Sequence, residues 1–421
     1  MKKVWLLMLI LVMVCTTVAF SAEPKVVRIT GQSWQITKLF LEDAAKQFSA
    51  AHPGVKVELK TYADPSTITN YAINWSGGNT PVDIVIIESP QFACQFITKN
   101  LLYSFDKDLK FFDSKTKRSD FVKFCLDDGV INNSQYVIPV ISEVYAININ
   151  KKMFKEAGLV DKDGNPLEPK TWEDVYNFAK KLHKVENGKV VQQGATIQWG
   201  MNMYATVMAV LRASRGDIYG ADKVSMSFNN PEFRNILTVW KKGADEGVFS
   251  KETIADYNAG RNSFSAGRVA MLIESGSRWF EAADNLGKNN VSVLPLPGSM
   301  ANGSYAFGSG VIIPRASKSP QLAVQFIKEQ LLSGKLQTRT LNQYGKMPVM
   351  MSHYKEAAAS EWESLKEIMD KSGATPKYRD FSKYMTDVAP IIQTYLDGKI
   401  SLDETINRLE NLMKSLDKKT I

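Results

Sequence analysis

The hydrophobic positions of this chain recur with two periods, one typical of strands and the other typical of helices. Residues 26–29 and 55–59 have the pattern of short strands, and His52-Pro53-Gly54 forms a break just before the second of them. Between the two strands, apolar residues share one face of a predicted helix: Ile36, Leu39, Phe40, Ala44 and Phe48. The pattern therefore predicts a strand, a helix and a second strand in succession.

The next predicted strand, residues 84–87, is apolar throughout and has no polar face. A strand of this composition between helical segments requires cover on both faces, as in the parallel sheets of α/β proteins. The alternation of strands and helices continues along the chain, so the pattern predicts an α/β fold.

A further α/β unit is predicted in the middle of the chain. A strand rich in β-branched and aromatic residues, 140–149, leads into a short helix that ends at Gly158. Thr171 is the predicted N-cap of a second helix, and Asp174 follows at the spacing of a capping box. One face of this second helix is apolar and carries Trp172, Val175, Tyr176, Ala179 and Leu182.

Composition limits the number of domains and the classes of partner. A chain of 421 residues is too long for one ordinary core, so two domains are expected. The net charge of +8 arises from lysines scattered through helices, and this distribution does not favour nucleic-acid binding. The three histidines and three cysteines form no close grouping, so no metal site is predicted. Cys94 and Cys125 either form a disulfide or remain two buried free thiols, and neither alternative implies catalysis.

The amino terminus has the layout of a secretory signal peptide. Two lysines precede an apolar run, 4–14, which is too short to span a membrane. Small residues then predict cleavage at Ser21 or Ala22, so that residues 1–22 are the signal peptide. No other stretch of the sequence is long and apolar enough to span a bilayer.

Cys15 raises an alternative, because a cysteine after an apolar run can carry a lipid anchor. The residue before it is Val14, where a lipoprotein signal has a small residue. We therefore expect a secreted, periplasmic protein, with attachment to the cell surface through Cys15 as the alternative.

Several motifs occur in an order and spacing that resemble one known family. They are F-x-x-x-x-P-G-V-K-V at 48–57, G-N-T-P-V-D-I-V at 78–85, F-x-x-A-G-L at 154–159, P-x-T-W-E-D at 169–174, F-x-x-G-x-x-A-M within 264–273, S-K-S-P-x-x-A-x-x-F within 308–326 and G-x-x-P at 345–348. Together they resemble the bacterial extracellular solute-binding protein family 1, in particular its carbohydrate-binding branch, which includes maltose-binding protein.

The resemblance implies an α/β, two-lobe fold of the type II periplasmic-binding-protein (Venus-flytrap) class, in which the chain crosses three times between the lobes. Carried onto this sequence, the N-terminal lobe comprises 23–141 and 295–331, the C-terminal lobe comprises 145–292 and 338–421, and the hinge crossings fall at 142–144, 293–294 and 332–337.

The ligand site is expected beyond the carboxyl ends of the strands, where open α/β sheets bind ligands. A saccharide packs its C–H faces on aromatic rings and pairs its hydroxyls with carboxylates, amides and guanidinium groups. Loop position and the family resemblance together predict these ligand-binding residues: Trp34, Gln35, Glu88, Gln91, Glu143, Tyr145, Trp199, Tyr204, Ser277, Arg278, Trp279, Tyr378 and Arg379. Which of Ser277, Arg278 and Trp279 faces the ligand stays open, because the turn before them is longer than is usual in the family.

The resemblance implies the secreted substrate-binding component of an ABC importer, with no catalytic residues and no cofactor. We expect a monomer that captures a carbohydrate, with an oligosaccharide favoured, and delivers it to the permease subunits in the membrane. One alternative keeps the fold and changes the solute to a glycerophosphodiester or a polyamine. A remote alternative is a glycoside hydrolase that uses Glu88, Glu143 and Glu274, although no motif of this chain resembles a hydrolase.

Overall fold

A computed structural model describes residues 25–62, 66–356 and 361–418. The predicted signal peptide, residues 1–22, and the lipidation alternative at Cys15 lie outside these residues.

The strands follow the chain in this order: β1 Lys25–Gln32, β2 Val55–Tyr62, β3 Ile84–Ile87, β4 Val130–Ile131, β5 Ser134–Gln135, β6 Ile138–Pro139, β7 Glu143–Asn150, β8 Lys184–Glu186, β9 Lys189–Ile197, β10 Phe249–Ser250, β11 Val269–Ser275, β12 Val291–Leu294, β13 Ala306–Phe307 and β14 Gly310–Ile312.

The α-helices are α1 Ser33–Lys38, α2 Leu41–Ala51, α3 Ser66–Thr69, α4 Tyr71–Ser76, α5 Cys94–Ile97, α6 Lys123–Asp127, α7 Lys151–Glu156, α8 Trp172–Leu182, α9 Met203–Arg215, α10 Pro231–Asp245, α11 Glu252–Ala255, α12 Ala259–Ser265, α13 Arg278–Leu286, α14 Ser299–Asn302, α15 Pro320–Phe326, α16 Gly334–Tyr344, α17 Glu361–Lys371, α18 Phe381–Leu396 and α19 Leu402–Ser415. Short 3₁₀-helices lie at Pro90–Ala93, Arg118–Asp120, Lys288–Asn290 and Met351–Glu356, and a π-helical turn lies at Ile327–Leu331.

Two separate sheets organise the molecule. In the first, the strand order is β2-β1-β3-β14-β6, with β1 parallel to β2 and β3, and β14 antiparallel to its neighbours. In the second, the order is β10-β9-β11-β7-β12, and β8 and β13 pair with β9 and β7. We call each sheet with its packed helices the first and the second lobe. This mixed α/β, two-lobe architecture is the predicted fold class.

The chain passes from the first lobe to the second between β6 and β7. It returns after β13, because Ala306 and Phe307 still pair with Val144 and Glu143 of the second sheet. The predicted second crossing, 293–294, lies on β12, which pairs with β7 inside the second sheet. The third predicted crossing, 332–337, lies at the junction between the π-helical turn and α16, and the lobe boundaries stay predictions.

Local sequence signals produced the expected helix in the second lobe. The side chain of Thr171 accepts a hydrogen bond from Asp174 N at 3.0 Å, and Asp174 Oδ2 accepts one from Thr171 N at 2.9 Å. These reciprocal bonds form the predicted capping box and satisfy two backbone donors at the start of α8.

The helix predicted from Ile36 to Phe48 is interrupted. Phe40 has a left-handed conformation with φ 47°, which ends α1 and precedes α2. A left-handed backbone is costly for a residue with a side chain. Here the Phe40 ring packs 5.4 Å from the Tyr344 ring, and the Arg339 guanidinium lies 3.5 Å from its centroid. These distant contacts accompany the break, and the local apolar period did not reveal it.

Aromatic side chains fill the core of the second lobe. Trp240 lies between Trp172 and Trp199, at centroid distances of 5.6 and 5.9 Å. Full burial of such side chains is a principal stabilising contribution. Cys94 and Cys125 are buried free thiols in the first lobe, so the structure contains no disulfide between them.

Candidate ligand-binding cleft

A cleft of about 960 Å³ lies between the two lobes. The first lobe contributes Ser33 and Trp34 after β1, and Glu88 after β3. The second lobe contributes Tyr145 on β7 and Glu274 on β11. The volume is near the upper end of ordinary ligand pockets, roughly 300–1,000 Å³, and so favours a ligand larger than a single small solute.

Aromatic rings form much of the apolar lining. Tyr145 lies 6.0 Å from Tyr305 and 5.9 Å from Phe307, measured between ring centroids. Tyr204 lies 6.4 Å from the same Tyr305 ring. Trp34 lines the cleft from the first lobe. Flat rings on both lobes suit the C–H faces of a sugar.

Glu143 is fixed at the start of β7 by donors from two other segments of the chain. Its carboxylate accepts hydrogen bonds from Ser275 Oγ and, at 2.9 Å, from Ser277 Oγ, and it pairs with Lys346 Nζ at 2.8 Å. Burial raises the pKa of Glu143, but the charges of Lys346 and Arg278 outweigh that effect and lower the pKa to about 2. The carboxylate is therefore ionised at neutral pH and held in one orientation.

A second buried carboxylate, Glu274, is held between two arginines. Arg261 Nη2 lies 2.5 Å from Glu274 Oε1, and Arg278 Nε lies 3.0 Å from the same oxygen. Arg278 Nη1 also pairs with Glu281 at 2.6 Å, and Glu281 pairs with Lys38 at 2.6 Å. Because Lys38 lies on α1 and Glu281 on α13, this last ion pair joins the two lobes.

Glu88 differs from these carboxylates. It is half-buried in the cleft wall, and it forms no ion pair or hydrogen bond with the described residues. Burial raises the pKa of Glu88 to about 6, and the negative charge of Glu143 adds to this shift. Glu88 is therefore the lining carboxylate, within the described chain, whose oxygens are available to donors on a ligand.

One face of α18 forms a further wall of the cleft, which sequence reasoning missed. Its lining residues are Ser382, Met385, Thr386, Ala389, Pro390 and Gln393. Their spacing of three and four residues is the signal that could have identified this face. Sequence reasoning also missed Arg261 and Lys346, whose roles depend on partners far away in the sequence.

Six of the predicted ligand-binding residues line the cleft: Trp34, Glu88, Glu143, Tyr145, Tyr204 and Arg278. Of the three residues left open by the sequence, Arg278 therefore lies at the cleft surface. Ser277 lies behind it and binds Glu143, whereas Trp279 is buried with its ring 5.2 Å from Trp362.

Two predicted glutamines lie outside the cleft lining. The side chain of Gln35 is fully buried, and its Nε2 donates to Ser309 Oγ at 2.9 Å. Gln91 is also buried, and its Nε2 donates to Thr375 Oγ1. In both cases the amide serves contacts inside the protein.

Three predicted residues of the second lobe also lie away from the cleft. Trp199 has 0% exposure and packs in the aromatic core. Tyr378 is buried, and its hydroxyl donates to Val224 O at 2.7 Å. Arg379 lies at the surface, where it pairs with Asp417 at 3.1 Å.

In the part of the chain that the structure describes, no group of three or more His, Cys, Asp or Glu side chains is arranged to hold a metal ion. None of the helices in the same residues is long and apolar enough to cross a membrane.

Comparison with known proteins places the cleft in a family context. Residues 43–368 match the model of the family described as bacterial extracellular solute-binding protein. This chain belongs to that family, as the sequence motifs predicted.

Individual relatives are distant but cover most of the chain. The arabinooligosaccharide-binding protein of Bacillus subtilis is 23% identical over 348 residues, which is 78% of this chain and 76% of the relative. A putative binding protein of Brucella abortus is 23% identical over 318 residues, 72% of each chain.

Among solved structures, this chain is similar to the GacH receptor of Streptomyces glaucescens, which was studied without ligand and with acarbose. The TM-score is 0.76 at 18% identity, and the match covers 93% of this chain and 99% of that one. The fold is therefore that of the sugar-binding ABC solute-binding proteins, and these family members and structural neighbours are binding proteins.

Proposed function

We propose that this protein captures a neutral oligosaccharide outside the cytoplasm, as a monomer, and delivers it to the membrane permease of an ABC importer. The observation that carries the proposal is the pairing of charges within the cleft. Arg261 and Arg278 hold Glu274, Lys346 holds Glu143, and Lys38 holds Glu281. The cations lining the described part of the cleft are thus occupied by the protein's own carboxylates.

This pairing argues against the other solutes that the fold could bind. A glycerophosphodiester would require a cation or a cluster of donors for its phosphate, and here it would have to compete with buried carboxylates. A polyamine would require a carboxylate for each ammonium group, whereas Glu88 alone among the described lining carboxylates lacks a cationic partner. A neutral ligand needs neither a free cation nor a free carboxylate for each of its groups, so the ion pairs of the cleft can stay intact.

The remaining groups suit hydroxyls on a saccharide. Glu88 offers two acceptor oxygens, and the half-exposed Trp34 offers aromatic surface for the C–H faces of the sugar. Tyr145 and Tyr204 also line the cleft, with side chains that are 2% and 5% exposed. A buried hydroxyl or carboxylate left unpaired costs roughly 1–3 kcal/mol, so such contacts discriminate among sugars. The size of the cleft, the acarbose-bound structural neighbour and the arabino-oligosaccharide-binding relative support an oligosaccharide as the ligand.

Transport requires the lobes to move about the connections between the sheets. A saccharide that contacts both lobes binds the closed form more tightly than the open form, and it shifts the population by that difference in affinity. Closure would then present the outer surfaces of both lobes to the permease, which distinguishes loaded from empty protein.

The test is thermal unfolding of residues 23–421 with maltotriose and arabinotriose, and separately with spermidine and glycerophosphocholine. A ligand at 100 times its Kd adds about 2.7 kcal/mol to the free energy of unfolding, which raises Tm by a few degrees. We expect a trisaccharide to raise Tm and to be recovered intact. A shift with spermidine or glycerophosphocholine alone would overturn the carbohydrate proposal and keep the family.

Small-angle scattering on the same samples tests the hinge. The radius of gyration should fall when the stabilising saccharide is added. An unchanged radius at saturation would count against closure.

A further inference from the structure

The segment between α17 and α18 is anchored to the second lobe. The hydroxyl of Tyr378 donates to Val224 O at 2.7 Å and accepts from Met226 N at 3.0 Å. Arg212 on α9 donates to Ala374 O at 3.4 Å. These bonds fix the backbone on both sides of Thr375 and Lys377.

The same segment is also bonded to the first lobe. Asp128, which follows α6, accepts three hydrogen bonds on one carboxylate oxygen: from Thr375 N at 2.8 Å, from Thr375 Oγ1 at 2.7 Å and from Lys377 Nζ at 2.5 Å. Gln91, in the turn after β3, donates to Thr375 Oγ1 as well. Four side chains therefore connect the lobes without a covalent crossing.

These side chains are shielded from water. Asp128 is 2% exposed and Thr375 is 5% exposed, and the side chain of Lys377 is 13% exposed. A buried carboxylate must be paired, and one that accepts three donors from a single short segment fixes that segment strongly. None of the four lines the ligand cleft, so direct ligand contact does not account for them.

The position of this contact relates it to the cleft. Phe381, the first residue of α18, lies shortly after Lys377, and the following turns of α18 carry the lining face from Ser382 to Gln393. Met385 on this face packs against the cores of both lobes. The orientation of α18 toward the first lobe thus depends on where the preceding segment is attached.

We propose that Asp128, Gln91, Thr375 and Lys377 form an interlobe clasp that positions α18 as a wall of the ligand cleft. The four are positioning residues, because they act on the ligand through α18. The inference rests on the proposed hinge motion: because the segment before α18 is bonded to both lobes, the clasp keeps this end of α18 at a fixed place on the first lobe when the lobes move. Without the clasp, α18 loses its fixed placement and the cleft loses affinity.

The test uses Lys377→Met, Asp128→Asn and the double variant, with Lys383→Met and Asp127→Asn as matched controls. Lys383 belongs to an exposed ion pair on α18, the helix that forms the cleft wall. Asp127, the neighbour of Asp128, belongs to another exposed ion pair. The readouts are hydrogen exchange of the α18 amides and the radius of gyration without ligand, followed by the Kd for maltotriose and arabinotriose.

We expect each clasp variant to speed hydrogen exchange in the first turns of α18 at least tenfold and to leave exchange in α19 unchanged. The radius of gyration without ligand should increase. For a trisaccharide that binds the parent, Kd should rise about tenfold in each single variant. The Kd of the double variant should lie closer to that of the parent than the Kd of Lys377→Met does, because the double variant contains no unpaired buried carboxylate. Both controls should behave like the parent.

A lower Tm with unchanged exchange in α18, unchanged scattering and unchanged Kd would overturn the clasp and leave a merely structural contact. If neither trisaccharide binds the parent, the proposed ligand is in doubt, but exchange and scattering still decide whether the clasp exists.

Discussion

The buried pair between Lys346 and Glu143 allows a quantitative prediction. Lys346 Nζ lies 2.8 Å from Glu143 Oε1, and the two side chains are 2% and 7% exposed. The variant Lys346→Met keeps an unbranched side chain in this space and removes the ammonium. Glu143 then keeps the hydroxyls of Ser275 and Ser277 but loses its cation.

The magnitude follows from the pKa of Glu143. Its fall from 4.5 to about 2 corresponds to roughly 3 kcal/mol of preference for the ionised carboxylate. Removing one member of a buried ion pair costs about 3–5 kcal/mol, because the other charge remains buried. Burial lowers the pKa of Lys346 to about 8, which shows that the ammonium is itself destabilised by desolvation, and its removal returns part of the cost. We expect a net loss of roughly 2–4 kcal/mol in the free energy of unfolding.

Urea unfolding of the parent and the variant at pH 7 and pH 4 tests this expectation. The folded-state pKa of Glu143 lies below the unfolded value, so its stabilisation is complete above about pH 4.5 and is lost as the pH falls toward 2. The parent loses that stabilisation, whereas the variant has only the part that Arg278 and the serine hydroxyls supply. The difference in the free energy of unfolding between parent and variant should therefore narrow at pH 4, by up to about 1 kcal/mol.

Lys383→Met, which removes an exposed ion pair on α18, is the matched control and should change stability by less than about 1 kcal/mol. A loss below about 1 kcal/mol in Lys346→Met, or a gap that is the same at both pH values, would refute the assignment of the charge pair.

Two further predictions concern the cleft and the core. The pKa of Glu88 is about 6, and its ionised form is the better acceptor for hydroxyls. The affinity for the bound trisaccharide, measured by calorimetry, should therefore fall several-fold from pH 7.5 to pH 5, and Glu88→Gln should remove that dependence. An affinity of the parent that does not change with pH would contradict the role of Glu88. Trp34→Ala should weaken binding about tenfold with little change in stability, whereas Trp199→Ala should cost roughly 3–5 kcal/mol of stability and leave the affinity of the folded protein near that of the parent. If the two tryptophan variants changed affinity and stability to the same extent, the assignment of Trp34 to the cleft and Trp199 to the core would be contradicted.

Short-range signals were sufficient for the family and for most of the elements, although they did not reveal the break at Phe40. The strand that ends at Asn150 depends on a run of β-branched and aromatic residues, and the helix begun by Thr171 depends on capping and apolar period. These signals involve neighbours a few residues apart. The order of the motifs indicated the solute-binding family, and the match over residues 43–368 confirms it.

The same local reasoning did not separate the cleft from the core. Trp34 and Trp199 both follow strands, and their surroundings in the sequence are similar in polarity. Trp34 lines the cleft, whereas Trp199 lies 5.9 Å from Trp240 and is enclosed by its lobe. Burial depends on which distant elements pack over a loop, and periodicity along the chain carries no information about that.

The sequence by itself determined the α/β elements, the family and the kinds of side chain that a saccharide site requires. Only the tertiary structure decided which charges are available to a ligand. Lys38, Glu281 and Lys346 are far apart in the sequence, yet they meet beside one cleft, where Lys346 also holds Glu143. Ion pairs depend on distance in space, so the pairing that leaves Glu88 open to a ligand emerges only when both lobes and their connections are in place.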